Sequence, residues 1–115
     1  MDIGEQLAGL AGRLYPINRS LTGDGVRKTL AILGEVIPLE VFSVPTGEKV
    51  FDWEIPKEWT VRTAYVADST GRKVIDFAKH NLHLVGYSVP VDRKMGLAEL
   101  DRHLHSASEQ PEAIP

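Results

Sequence analysis

At Pro38 the hydrophobic pattern of this chain changes period, and that switch constrains the fold more than any other feature. Before it, Ile3, Leu7, Leu10 and Leu14 recur at i, i+4, i+7 and i+11, which marks one face of an amphipathic helix closed by Pro16. Val26, Leu30, Leu33 and Ile37 repeat the pattern, with Thr22 placed as N-cap, Asp24 in the first turn and Pro38 as the stop. From Leu39 onward the residues are β-branched and aromatic around turn signals, the first at Pro45-Thr46-Gly47.

The clearest hairpin reads WTVRTAYVADSTGRKVIDF. Trp59, Val61, Thr63 and Tyr65 alternate on one face, Asp68-Ser69-Thr70-Gly71 turns, and Lys73 to Phe77 returns. LHLVGYSVP supplies another strand, ended by Pro90, and Leu97, Leu100 and Leu104 mark a short C-terminal helix before SASEQPEAIP trails off. The expected fold is therefore α+β: two N-terminal helices, a mainly antiparallel β-sheet or small barrel of four to five strands, and one short C-terminal helix. The seam near Pro38 could separate two parts that do not share one core.

With 115 residues the chain is at most one domain, and 43% hydrophobic and 25% charged residues are those of an ordinary globular protein. Net charge is -3 and the 13 Lys and Arg are scattered, so no positive field exists to hold nucleic acid or an anionic membrane. Cysteine is absent, which removes disulfides, thiolate zinc ligands and cysteine nucleophiles together. Met1-Asp2-Ile3-Gly4-Glu5 is acidic and lacks the apolar run of a signal peptide, and no later stretch approaches a membrane span. A cytoplasmic location is expected.

The most unusual stretch is LYPINRSLTGDGVRKTL, which sets Arg19, Ser20, Gly23, Asp24 and Gly25 between the two helical patterns. A phosphate loop needs a preceding strand and either Gly-x-x-x-x-Gly-Lys-Ser/Thr or Gly-x-Gly-x-x-Gly. Here a helix precedes and Lys28 is misplaced, so a capped interhelical turn fits better. Arg19 and Arg27 could still hold a carboxylate or phosphate at the second helix's N-terminus.

Other chemistry is equally incomplete in the sequence. His103 and His105 sit at i, i+2 rather than the i, i+4 of a helical zinc pair, and His80 and His83 flank a strand start. No serine lies in Gly-x-Ser-x-Gly, and Asp52, Glu54, Glu58, Asp68 and Asp76 are spread as solvated charges usually are. VFDWEIPKEW differs in kind, because it holds both tryptophans of the chain, Trp53 and Trp59. Each can anchor a core by removing up to ~250 Å² from water, or serve as a ligand platform; the core reading is favoured, with one Trp facing an interface.

Taken together, LYPINRSLTGDGVRKTL, IPLEVFSVPTGEKVFDWEIPKEWTVRTAYV, KVIDF, NLHLVGYSVPVDRKMGLAEL and QPEAIP resemble the N-terminal region of a bacterial aminopeptidase-like family. Its members are similar to two-zinc peptidases and carry a nested β-rich domain of unknown function. The resemblance runs from Leu14 to Pro115 and rests on long, peculiar motifs. It implies that residues 1–38 belong to the edge of a peptidase-like domain, that 39–92 are the inserted β-rich domain, and that 93–115 form a short helix and an extended return segment. It places the family's zinc ligands downstream, so no cofactor is expected in this chain and zinc is expected in the full-length parent.

The family continues far beyond Pro115, so the chain is expected to be a fragment of a longer protein, inactive alone. Its expected partners are the missing peptidase domain and, through exposed helix faces, a second copy, with no nucleic acid and no membrane. The expected role is a lid or substrate-selecting part, with Trp53, Trp59, Tyr65, Tyr87 and Arg19 as substrate-binding residues and no catalytic or metal-ligating residue of its own. The alternative is a protein- or carbohydrate-binding module.

Overall fold

The computed structural model describes residues 2–113; Met1 and the last two residues of the expected return segment, Ile114 and Pro115, lie outside the described residues. Helix α1 spans Ile3–Leu14 and starts where the Asp2 amide donates to the Glu5 carboxylate at 3.1 Å. Helix α2 spans Asp24–Gly34. The cap of α2 is Gly23, not Thr22, because the chain enters at φ 120°, a conformation that threonine resists. The Thr22 hydroxyl consequently has no hydrogen-bond partner. Beyond Gly34 the chain winds on through one more turn, with the Val36 and Ile37 amides both donating to the Leu33 carbonyl at 3.0 Å, and Pro38 ends it.

The α+β class holds, but the expected sheet or barrel does not form. Four short strands pair as two separate antiparallel hairpins, β1 (Lys49–Val50) with β2 (Trp53–Glu54) and β3 (Tyr65–Ala67) with β4 (Lys73–Asp76). The expected turn at Pro45-Thr46-Gly47 forms, with the Glu48 amide donating to the Pro45 carbonyl at 3.2 Å and Gly47 at φ 88°, and the two strands of the first hairpin are joined at Phe51-Asp52, with Phe51 at φ 53° and Val50 opposite Trp53. The Asp68–Gly71 turn of the second falls where the sequence puts it, closed by the Asp68 amide on the Arg72 carbonyl at 3.0 Å.

Of the expected strands, the one from Trp59 is cut back to Tyr65–Ala67 and the one over LHLVGYSVP does not form, each for a local reason. Residues 59–63 stay irregular, because the Trp59 carbonyl accepts from the Ser20 hydroxyl at 3.0 Å instead of from a neighbouring strand. LHLVGYSVP becomes a 3-10 turn at Asn81–His83 followed by loop, since Tyr87 lies at φ 63° and the Ser88 carbonyl accepts the Trp59 indole N–H at 3.0 Å. The C-terminal helix α3 covers only Leu97–Leu100 and tightens into a 3-10 turn over Asp101–His103.

No described hydrophobic side chain is fully buried. The accessible surface is 9991 Å², against about 6,200 Å² expected for a compact 12.7 kDa monomer. The radius of gyration, 18.1 Å, likewise exceeds the roughly 13 Å of a compact chain of this length. Ile3 and Leu7 on α1, Val36 and Ile37 after α2, and Val41 and Phe42 beyond Pro38 all face outward. Among the described residues no helix is long and apolar enough to cross a membrane.

Besides the second hairpin, order is found at the joint between α1 and α2. A Cβ on Gly25 would sit 1.9 Å from the Asn18 carbonyl oxygen, and one on Gly23 would sit 3.0 Å from the Trp59 carbonyl. Gly25→Ala is therefore expected to destabilise the joint by about 1–3 kcal/mol, whereas Gly9→Ala, with open space around it, is expected to leave α1 unchanged or to stabilise it. Amide hydrogen exchange along 18–27 and 3–14 in both variants checks this.

Candidate functional site

The joint also carries a cluster of polar and aromatic groups. Trp59 and Tyr87 stack with ring centroids 5.5 Å apart and planes inclined by 28°. The Tyr87 hydroxyl accepts the Leu21 amide at 3.2 Å, so this pair connects the interhelical turn with two distant loops. A bulky residue at φ 63° costs on the order of 1–3 kcal/mol and persists only when its surroundings hold it there; stacking and the Leu21 amide do so here. Ser20 faces both the Thr22 and Trp59 carbonyls, between which its single proton is shared.

Three further ties surround this pair. The Asn81 amide donates to the Tyr15 carbonyl at 3.1 Å. Arg27 grips the Glu58 carboxylate through both terminal nitrogens, at 2.6 and 2.9 Å, and meets Asp24 at 2.8 Å. Arg27 holds the Glu58 and Asp24 carboxyls below their ordinary values, chiefly by hydrogen bonding, and its own pKa is raised in turn by Glu58 and then Asp24.

Alongside lies an open groove of about 390 Å³, walled by Trp59 and Phe77 and edged by Asn18, Asp24, Lys28 and Arg62. These groups can contact a ligand by stacking and by paired charges. The Ser20 hydroxyl, also in the groove, is engaged with backbone carbonyls rather than with a base. The arrangement therefore suits binding and positioning more than bond making.

The candidate residues named from the sequence are scattered by this geometry. Trp59 and Tyr87 come together. Trp53 lies on the other hairpin, 48% exposed, and Tyr65 on β3 packs beneath the Lys73 ammonium, 4.4 Å from the ring centroid. Arg19 donates to the Leu14 carbonyl at 2.9 Å and the Thr29 hydroxyl at 3.3 Å, placing its charge at the C-terminal end of α1. Ser88, Asn81 and the Arg27–Glu58 pair carried no sequence signal, because partners 29 to 66 residues apart leave no periodicity to read.

His80 and His83 lie with ring centroids 5.5 Å apart, but His80 Nδ1 accepts the Leu82 amide and His83 Nδ1 faces the Asp76 carbonyl. Among the described residues no three His, Cys, Asp or Glu side chains are grouped to hold a metal ion. The donors among the described residues thus do not fit a zinc centre.

The family model described as a domain of unknown function, DUF2172, matches residues 58–115, and the chain belongs to that family. Over 114 residues it is 49% identical to a Clostridium acetobutylicum protein provisionally named as a polysaccharide biosynthesis protein with an aminopeptidase-like domain. That alignment takes in 99% of this chain and 26% of the relative. A crystal structure from Clostridium acetobutylicum, provisionally called a peptidase, superposes with a TM-score of 0.91 at 50% identity, over 93% of this chain and 25% of that one. The chain spans about a quarter of the length of these relatives. The resemblance to the aminopeptidase-like family drawn from the motifs therefore holds.

The depressed carboxyl values fix the sign of the pH dependence. A carboxylate whose folded value lies below its unfolded one stabilises above the unfolded value and loses that contribution as pH falls through the folded one. The Arg27 clamp is thus expected to be intact at neutral pH and to fail only as pH falls below the ordinary carboxylate range. In an NMR titration of the side-chain carboxyl, Arg27→Met should move the Glu58 midpoint upward toward its ordinary value while leaving Asp68, held chiefly by Thr70, where it is.

Proposed function

We propose that this chain is the accessory part of an aminopeptidase-like hydrolase and contributes binding surface rather than catalytic groups. The observation that carries the reading is the alignment of nearly the whole chain with a quarter of a relative named for an aminopeptidase-like domain. The reaction of the whole protein is then hydrolysis of an N-terminal peptide or related amide bond in the cytoplasm, with zinc supplying an activated water. The zinc ligands come from outside this chain, whose own donors do not fit such a centre. The role of these residues is to bind and orient. Trp59, backed by its stack with Tyr87, and Phe77 form an aromatic wall, with Lys28 and Arg62 on the groove's edge to meet a substrate carboxylate.

One observation favours a second reading. Trp53 is 48% exposed and Phe51 fully exposed on the same hairpin, and the relative's name mentions polysaccharide biosynthesis. That hairpin would then be a carbohydrate-binding tip.

The two readings separate in the intact protein. Trp59→Ala is expected to lower kcat/KM for aminoacyl anilides on the order of tenfold, mainly through KM, with Trp59→Phe recovering most of the loss and Trp53→Ala behaving as the parent. Unchanged constants for Trp59→Ala would remove the lining role, and quenching of Trp53 fluorescence by oligosaccharides would favour the second reading.

A further inference from the structure

We propose that residues 39–44 are an interior β-strand of the intact protein, paired along both edges by strands of the aminopeptidase-like part that lies outside this chain. The inference rests on the function proposed above and names the surface by which the two parts join. Leu39-Glu40-Val41-Phe42-Ser43-Val44 is bracketed by Pro38 and Pro45, residues without an amide hydrogen that sit at strand ends. Six residues at about 3.3 Å each cover roughly 20 Å, an ordinary strand length. The chain runs from 38 to 45 without a bend or turn. Among the described residues none of 39–44 makes a backbone hydrogen bond. The segment thus has the composition and course of a strand but no neighbour.

Its side chains say what kind of strand it is. Alternation puts Leu39 and Val41 on one face and Phe42 and Val44 on the other, and these are 39%, 59%, 77% and 50% exposed. A strand with one wet face carries its apolar residues on the dry face only; apolar residues on both faces belong to a strand covered on both sides. Helix α2 ends only a few residues upstream, the usual spacing between a helix and the strand it covers.

The occupant is a sheet of the longer protein rather than a second copy. Pairing with its own twofold mate would fill one edge and leave a face bare. The relative has about three quarters of its length outside the aligned region, and the surface here exceeds that of a compact monomer by about 3,800 Å². Left uncovered, six β-prone residues with a single charge would also be an aggregation site.

Amide hydrogen exchange on the intact protein, read residue by residue, tests this. All amides from 39 to 44 are expected to exchange on the order of 100-fold more slowly than in an unstructured peptide, at every protein concentration. Free exchange overturns the proposal, and so does protection of alternate amides only, which marks an edge strand. Protection that disappears on dilution overturns it in favour of a second copy. Full protection in a protein that hydrolyses no aminoacyl substrate supports the strand and counts against the hydrolase reading, so the two failures are distinguishable.

Discussion

The approach of the α2 N-terminus to the Asn18 carbonyl governs this structure. At Gly25 there is no room for a Cβ, and at Gly23 the backbone turns through φ 120° against Trp59 and Thr60. Those two positions let the 18–23 segment fold back on α2, which brings Ser20 to the Trp59 carbonyl and the Leu21 amide to Tyr87. Trp59, Tyr87, Glu58 and Asn81 depend on that approach for their partners. The interhelical turn is a structural joint, and its glycines serve close packing rather than a phosphate.

Around the joint, the hydrophobic effect is largely unspent. Helices α1 and α2 show clear apolar stripes, yet no hydrophobic side chain among the described residues is fully buried. Order is kept by capping, by the bidentate Arg27–Glu58 pair and by the aromatic stack, each of modest strength. Faces patterned for burial but left in water are, on the function proposed above, those of a part whose completing surface lies elsewhere. The alignment of this chain with about a quarter of its relatives agrees with that physical reading.

Local signals were legible in the sequence and long-range ones were not. The 3.6-residue period gave α1 between Ile3 and Leu14 and most of α2, and the Asp68–Gly71 turn fell as its residues require. The strands expected at 59–63 and 82–90 do not form, because alternation cannot register a side chain that takes the backbone's partner, as Ser20 does at Trp59. The Thr22 cap failed because the following glycine could adopt an entry angle that threonine resists. Of the candidate site residues, proximity of Trp59 and Tyr87 was invisible to spacing, since 28 positions separate them. The absence of a core was not legible either, because each apolar stripe looks the same whether or not its partner is present.

Calorimetry on the isolated 115-residue chain, with its monomeric state fixed by sedimentation, tests most directly whether this part carries its own core. A broad, shallow heat change without a cooperative peak is expected. A sharp two-state transition of a monomer, with about 80 kcal/mol at its midpoint as a self-sufficient domain of this length would absorb, would contradict it.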